Sequence, residues 1–157
     1  MGCKQIIFLF LILSTLASCE NYTSCSGTVG TSMGISFNQI IDSTESDTIP
    51  RSLTVTGIGR TGSFYARDSG LQTIRLPLSQ IADTTAFYIQ PDTTAQGDTV
   101  NILYRRNLHF VSSGCGFATY FNIDTVKYTR HSIDSIAIPV KTITTTDAKN
   151  VKIYYNK

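Results

Sequence analysis

Apolar and polar side chains alternate with a period of two residues in nearly every patterned segment of this chain. Met33, Ile35 and Phe37, for example, are separated by Gly34 and Ser36. This period predicts β-strands with one buried face, because successive side chains of a strand point to opposite faces. Turn-forming residues separate the runs at intervals of about 8 to 12 residues, which is typical of an all-β, antiparallel β-sandwich, with a small barrel as the alternative. The apolar positions of the predicted strands are Met33, Ile35, Phe37, Leu53, Val55, Ile74, Leu76, Leu78, Phe87, Ile89, Val100, Ile102, Tyr104, Leu108, Phe110, Phe117, Phe121, Ile123, Val151, Ile153 and Tyr155.

Clusters of turn formers predict where these strands are interrupted. Residues 38–52, 57–70 and 91–98 are predicted as loops, and Arg106-Asn107 is predicted to turn a hairpin. Pro77 lies in an otherwise good strand pattern. Because proline has no amide hydrogen to donate, it predicts an edge strand or a bulge there.

An N-terminal apolar run at residues 6–13 is followed by the segment Leu16-Ala17-Ser18-Cys19. The run falls short of the roughly 20 residues that a membrane-spanning helix needs, so it fits a secretory signal peptide. The four residues have the form of a bacterial lipoprotein processing site, whose cysteine becomes the first mature residue and carries acyl chains such as palmitate. The alternative is cleavage by ordinary signal peptidase, which would leave Cys19 as a free thiol.

This interpretation divides the chain into three parts. Residues 1–18 are a cleaved signal peptide, residues 19–31 a lipidated tether, and residues 32–157 a single β-sandwich domain. Lipid on Cys19 would attach the protein to a membrane of the cell envelope. Glu20, rather than aspartate, follows the cysteine and favours the outer membrane. No acidic cluster follows Glu20, which leaves the periplasmic and the surface face both open.

The composition argues against two function classes. With a formal net charge of +2, the chain has no long-range field to attract nucleic acid. Of the two histidines, His109 is out of phase with the apolar positions of its strand and His131 is expected in a turn. No Gly-x-Ser-x-Gly elbow accompanies them, and the glycine-rich residues 57–62 lack the lysine and the helix of a phosphate-binding loop. We therefore expect no enzyme, no cofactor and no nucleic-acid partner.

Cysteine usage predicts one covalent cross-link. Once Cys3 leaves with the signal peptide and Cys19 is acylated, Cys25 and Cys115 remain. In an oxidising compartment we expect them to form a disulfide bond, with two unpaired buried thiols as the alternative. We expect no metal site, because no third cysteine and no nearby histidine accompany them.

Aspartate is followed by a hydroxyl residue far more often than composition explains. Eight of the nine aspartates directly precede serine or threonine, and such pairs start turns through side-chain to backbone hydrogen bonds. Seven of them also complete a triplet with Ala, Ile, Leu, Val, Met or Thr. This triplet resembles the O-glycosylation acceptor of exported Bacteroidetes proteins. The preferred candidate acceptors are Ser43, Thr48, Thr84 and Thr93.

Several short segments carry a family resemblance: Cys115-Gly116-Phe117, Tyr128-Thr129, and residues 53–59, 74–78, 121–126, 132–136 and 150–154. Together with a lipoprotein processing site followed closely by Cys25, they resemble a family of Bacteroidetes envelope lipoproteins known only as a domain of unknown function. The resemblance implies a small β-rich lipoprotein without an assigned reaction. Some relatives have a second cysteine where Phe117 stands here, and this departure leaves Cys25 as the evident partner of Cys115.

Two non-enzymatic functions are consistent with these features. In the first, the domain is a structural or protein-interaction module that docks on an envelope protein, such as an outer-membrane β-barrel, through an exposed edge strand or apolar patch. In the alternative, it binds a glycan or another small ligand through exposed aromatic rings. Phe64, Tyr65, Tyr154 and Tyr155 are the candidate stacking residues, although aromatic rings at strand ends also serve as packing at the rim of a sandwich.

Overall fold

The computed structural model describes residues 30–155, and within this range all regular structure is β-strand. The predicted signal peptide, the predicted lipidation at Cys19 and the position of Cys25 lie outside the described residues. Eleven strands follow one another along the chain: β1 Ser32–Ile41, β2 Thr44–Asp47, β3 Leu53–Gly57, β4 Ser63–Asp68, β5 Thr73–Pro77, β6 Thr84–Gln90, β7 Asp98–Ser112, β8 Gly116–Tyr128, β9 Ile133–Ala137, β10 Thr142–Ile143 and β11 Lys149–Tyr155.

The strands form two sheets, one of which curls into a half-barrel, so the all-β prediction is confirmed. The five-stranded sheet has the order β2-β1-β11-β9, with β5 also paired to β1, and the six-stranded sheet has the order β10-β8-β7-β6-β3-β4. The described pairs are antiparallel except for β1 and β11, which run parallel. These two strands come from opposite ends of the described chain, and they lie side by side in the middle of the five-stranded sheet.

The core lies between the sheets and is built from the predicted alternation. The side chains of Met33, Ile35 and Phe37 in β1, for example, have no exposed surface, and the apolar positions of β3, β5, β6 and β11 are buried with them. In β7 the buried positions end at Tyr104, whose ring packs edge-on against Phe121 with 5.2 Å between centroids. Three of the predicted core residues, Leu108, Phe110 and Phe117, are instead exposed.

Two segments that the sequence predicts as loops contain strands. Polar β2 lies in the predicted loop 38–52, where it pairs with the end of β1 after a two-residue turn. Both turn residues, Asp42 and Ser43, have positive φ (49° and 66°), as in a type I′ hairpin. Likewise β4 lies in the predicted loop 57–70 and pairs with β3. Exposed edge strands need no apolar face, so the alternation that reveals buried strands does not mark them.

The predicted hairpin turn at Arg106-Asn107 is also wrong, because β7 continues without a break to Ser112. Both residues sit inside the ladder with β8, where Arg106 pairs with Phe121 and Asn107 with Tyr120. The chain turns later, between Ser112 and Gly116, and Gly116 has a φ of 70° that favours glycine. The two strands therefore form one long hairpin.

Strand β5 confirms the prediction made from Pro77. Among the described strands β5 pairs only with β1, so Pro77 ends an edge strand. The other side of β5 is covered by Tyr65, whose hydroxyl accepts a hydrogen bond from the Arg75 amide (3.1 Å) and donates one to the Arg75 carbonyl (3.3 Å). This single side chain of β4 satisfies both backbone groups of Arg75 at the open edge of β5 and links the two sheets.

Candidate functional site

The outer half of the β7–β8 hairpin extends beyond the buried core. From Asp98 to Tyr104 alternate residues of β7 are buried, whereas each residue from Arg105 to Phe110 is exposed. Three large apolar side chains lie there, with exposed fractions of 67% for Leu108, 55% for Phe110 and 61% for Phe117.

The strand register places these three side chains on one face of the hairpin. Phe110 is directly opposite Phe117, and Leu108 is opposite Thr119. The rings of Phe110 and Phe117 meet edge-on with 5.3 Å between centroids. Nearer the core the same face carries the buried Tyr104, so this face continues the core beyond the second sheet. We call Leu108, Phe110 and Phe117 the apolar hairpin face.

The opposite face of the hairpin carries a second pair of rings, which are stacked. His109 stacks on Tyr120 with 4.4 Å between ring centroids. Ring pairs on both faces and the continuous ladder make the hairpin a defined element rather than a loose loop.

A groove of about 590 Å³ lies at the base of the apolar hairpin face and is lined by Arg106, Leu108 and Thr119 among others. The Arg106 guanidinium donates to Asp83 and to the Gln80 carbonyl, each at 2.7 Å. These hydrogen bonds tie the hairpin to the loop before β6, and the bond to Asp83 raises the pKa of Arg106. The hydroxyl of Thr31 donates to the Thr119 carbonyl at 2.6 Å, so the described chain begins beside this groove.

At the other end of β7, Asp98 organises the turn that leads into β9. Its carboxylate has no exposed surface and accepts hydrogen bonds from the Thr129 hydroxyl (2.6 Å), the His131 Nδ1 (2.9 Å) and three consecutive backbone amides, those of His131, Ser132 and Ile133 (2.8 Å each). Burial alone would raise the pKa of Asp98, but the hydrogen bonds from Thr129 and the amides outweigh it and hold the pKa below its ordinary value. Asp98 is therefore a buried carboxylate ion.

A cleft of about 480 Å³ opens beside this turn, and we call it the Asp98 cleft. Its lining includes Pro50, Arg51, Pro91, Asp92, His131 and Tyr155. Tyr155 stacks on Phe37 with 5.6 Å between centroids, and its hydroxyl is buried without a hydrogen-bond partner among the described residues. Burial raises the pKa of Tyr155, so the phenol stays protonated.

The four aromatic residues predicted to stack on a ligand do not meet in one place. Phe64 and Tyr65 lie on β4 of the six-stranded sheet, where Phe64 packs on Phe87 with 5.9 Å between centroids. Tyr154 and Tyr155 lie on β11 of the other sheet, and only Tyr155 lines the Asp98 cleft. A stacking role for any of them stays a prediction.

The predicted glycosylation acceptors occupy separate positions on the surface. Ser43 is exposed in the β1–β2 turn and Thr93 in the loop after β6, whereas Thr48 is partly buried. Thr84 is exposed on β6 and its hydroxyl donates to Asn101 at 2.6 Å. Modification at these sites stays a prediction.

Asp92 belongs to an Asp-Thr pair that starts a turn, as predicted for such pairs. Its Oδ1 accepts from the Thr94 amide at 3.1 Å and from the Thr93 and Thr94 hydroxyls. This is the side-chain to backbone bonding that starts a turn. It also lowers the pKa of Asp92, with the Thr94 amide as the main cause.

The predicted disulfide is described on one side only. Cys115 lies in the tip turn of the hairpin, where its amide donates to Ser112 Oγ at 3.1 Å. Because Cys25 lies outside the described residues, the bond stays a prediction. Across residues 30–155, no three of the histidine, cysteine, aspartate and glutamate side chains are grouped so that they could hold a metal ion. Residues 30–155 also contain no helix that is long and apolar enough to cross a membrane.

Comparison with protein families places these strands in a known group. Residues 52–155, from the start of β3 to the end of β11, match the model of a Family of unknown function (DUF6452). The chain belongs to the DUF6452 family. The expectation of membership in a family of unknown function is thereby confirmed, whereas Bacteroidetes origin and lipoprotein character stay predictions. Searches of curated proteins and of solved structures find no match. The matched region of the DUF6452 family includes both the apolar hairpin face and Asp98.

The sequence predicted neither the exposure of the apolar hairpin face nor the burial of Asp98, and the reasons can be identified. Leu108, Phe110 and Phe117 follow a buried-strand pattern, because alternation reports a shared face and not whether another layer covers it. The sequence signal for Asp98 was its place among the Asp-Thr pairs, but nothing local distinguishes a buried aspartate from an exposed one. His131 was expected in a turn, which is where it lies, without a sign of its contact with a residue 33 positions away.

Proposed function

We propose that this member of the DUF6452 family is a lipid-anchored, non-enzymatic interaction module of the bacterial outer membrane. In this proposal acyl chains on Cys19 hold it to the bilayer. The apolar hairpin face is its contact surface for a partner protein in the same membrane, such as a β-barrel.

The observation that carries the proposal is the exposure of the apolar hairpin face. Soluble domains rarely leave a contiguous patch of large apolar side chains in water, and such patches mark contact sites. Two phenylalanine rings and a leucine, with charged Arg106 on the same face nearer the core, have the composition of a protein interface. An ordered hairpin also loses little conformational freedom on binding, which favours affinity.

The start of the described chain supports a partner in the membrane. Thr31 is bonded to Thr119 at the base of the hairpin, so the described chain begins at that end of the domain. Eleven residues separate Cys19 from Thr31, and the chain from one to the other spans at most about 40 Å when fully extended. If Cys19 is lipidated, the apolar hairpin face therefore stays within reach of proteins embedded in the same bilayer.

A site-specific cross-linking experiment tests the contact surface. A photoreactive phenylalanine analogue replaces Phe117 in the full-length protein, expressed in its native bacterium, and Ile40 serves as the matched control because it is 56% exposed on β1. We expect one envelope protein to be captured in stoichiometric yield from position 117, and not from position 40. Capture should be lost when Leu108→Ser and Phe110→Ser are added.

The results can contradict this proposal in two ways. Equal capture from both positions would show that exposure alone explains cross-linking. Capture that survives the serine substitutions would remove the apolar hairpin face as the contact surface.

The lipid anchor has its own test. We expect radiolabelled palmitate to be incorporated into the wild-type protein and not into a Cys19→Ala variant, which should move from the membrane fraction to the soluble fraction. An unlabelled wild-type protein, or identical fractionation of the two, would contradict the anchor without affecting the cross-linking result.

A further inference from the structure

We infer that the Asp98 cleft is a binding site for a neutral, hydroxyl-rich small molecule, such as a saccharide of one or two rings. This site lies at the end of the domain away from the tip of the apolar hairpin face, so it adds a second binding function to the proposed one. The cleft volume of about 480 Å³ falls within the range of small-molecule sites, about 300 to 1,000 Å³.

His131 presents an oriented ring nitrogen to this cleft. Asp98 is a buried, ionised carboxylate, which can only accept, so the Nδ1 of His131 at 2.9 Å carries the hydrogen. No described residue hydrogen-bonds to the other ring nitrogen, Nε2. The side chain is 41% exposed, so a ligand hydroxyl can reach it. A hydroxyl group both donates and accepts, so it complements Nε2 in either role.

Arg51 and Asp92 supply one charge of each sign on the same lining. Arg51 forms no hydrogen bond or ion pair with another described residue, yet it is close enough to contribute to the lowered pKa of Asp92, after the bonds from Thr94 and Thr93. The bonds to Asp92 use Oδ1, so Oδ2 is available to accept. Together the two residues offer donors and an acceptor without net charge, which favours a neutral polar ligand over a free anion.

The remaining lining is suited to the carbon-bound hydrogens of a sugar ring. Ile49, Pro50, Pro91 and Ala95 line the cleft alongside the polar groups. A largely apolar lining with a small number of fixed polar groups is the usual composition of a ligand site. Ser132 also lines the cleft, but its hydroxyl donates to the Gln96 carbonyl at 2.6 Å and not to His131. The described cleft thus presents an oriented imidazole without a paired nucleophile, which fits binding rather than covalent catalysis.

Nuclear magnetic resonance titration of the complete mature chain tests this site. The isotope-labelled protein carries Cys19→Ala so that it stays in aqueous solution. The probes are glucose, galactose, mannose, N-acetylglucosamine, lactose and cellobiose, with sodium phosphate and sodium acetate as anionic probes. We expect at least one saccharide to cause saturable shifts of the His131 ring and Arg51 signals, and neither anion to do so.

Substitutions then assign the binding groups. We expect Arg51→Ala and His131→Phe each to weaken binding at least fivefold, and His131→Gln, which keeps an acceptor, to recover part of the loss. Leu108→Ser, at the other end of the domain, should leave the dissociation constant within twofold. The inference is overturned if none of the saccharides gives a saturable shift, if only phosphate or acetate binds, or if affinity is unchanged in both Arg51→Ala and His131→Phe. None of these outcomes bears on cross-linking from Phe117.

Discussion

The two ends of β7 differ in which kind of side chain is buried and which is exposed. At its first residue a charged side chain, Asp98, is fully buried and every hydrogen-bonding direction of its carboxylate is used by nearby donors. Toward its last residues, apolar Leu108 and Phe110 are left in water. A polar group is placed where apolar residues belong, and apolar groups are placed where polar ones belong.

The difference separates stability from interaction. Burying an ion is tolerated only when its hydrogen bonds are complete, so the Asp98 turn is expected to be rigid and costly to disturb. Exposed apolar side chains contribute little to folding, so the apolar hairpin face is expected to change at little cost to stability. The hairpin end is therefore the part of the domain where the contact proposed above could form with little cost to folding.

The largest expected effect is at Asp98. Asp98→Ala leaves three backbone amides, a hydroxyl and an imidazole without their acceptor, and should lower the free energy of unfolding by about 3 to 5 kcal/mol. Chemical denaturation followed by circular dichroism measures this. Asp92→Ala is the matched control at an exposed turn, where we expect a loss of about 1 kcal/mol or less. Similar losses in the two variants would remove the distinction drawn for Asp98.

Truncations along one strand sharpen the comparison between core and hairpin. Ile102→Ala in the buried half of β7 should cost about 2 to 5 kcal/mol, because it opens a cavity between the sheets. Leu108→Ala, six residues along the same strand, should change stability by no more than about 0.5 kcal/mol. Thermal or denaturant unfolding of both variants checks this. A large loss at Leu108 would mean that the residue is covered by part of the protein itself.

The pH dependence of stability reports on Asp98 alone when two proteins are compared. Because the folded pKa of Asp98 is lowered, its ionised form contributes stability above the unfolded value near 3.9, and this contribution is lost as the pH falls through the lower folded value. Below about pH 4 the wild type should lose up to about 1.4 kcal/mol per pH unit more than Asp98→Asn. Parallel stability curves for the two proteins between pH 2 and pH 5 would contradict the lowered pKa.

The smallest expected effect has the opposite sign. The Tyr155 hydroxyl is buried at the Asp98 end without a hydrogen-bond partner among the described residues. Tyr155→Phe removes that unsatisfied group and keeps the stacking on Phe37, so it should raise the free energy of unfolding by up to about 1 kcal/mol. Tyr104→Phe is the control, since the Tyr104 hydroxyl donates to the Ser79 carbonyl at 3.0 Å and its loss should destabilise. Destabilisation by Tyr155→Phe would show that the hydroxyl has a partner in solution.

Most strands with a buried face could be predicted from particular residues, whereas the short strands β9 and β10, with buried Ile133 and Ile143, were not predicted. Met33, Ile35 and Phe37 alternate cleanly and form the centre of the core, and Pro77 correctly marks an edge. Strand β2 could not be found this way because it has no apolar residue, and β4 could not because its aromatic residues, Phe64 and Tyr65, are adjacent and do not alternate with polar ones. The turn predicted at Arg106-Asn107 is wrong because tertiary contacts outweigh the local turn preference of these residues. Both pair with β8, and Arg106 also reaches Asp83.

The amino-acid sequence by itself determined that the domain is all-β and which side chains share a face, since both follow from the two-residue period of a strand. The tertiary structure alone decided which of those faces are covered, because coverage depends on where the second sheet ends and not on any local pattern. The same holds for Asp98, whose partners at Thr129 to Ile133 are 31 to 35 residues away. Only folding brings those donors around one carboxylate, and only folding leaves Leu108, Phe110 and Phe117 beyond the reach of the core.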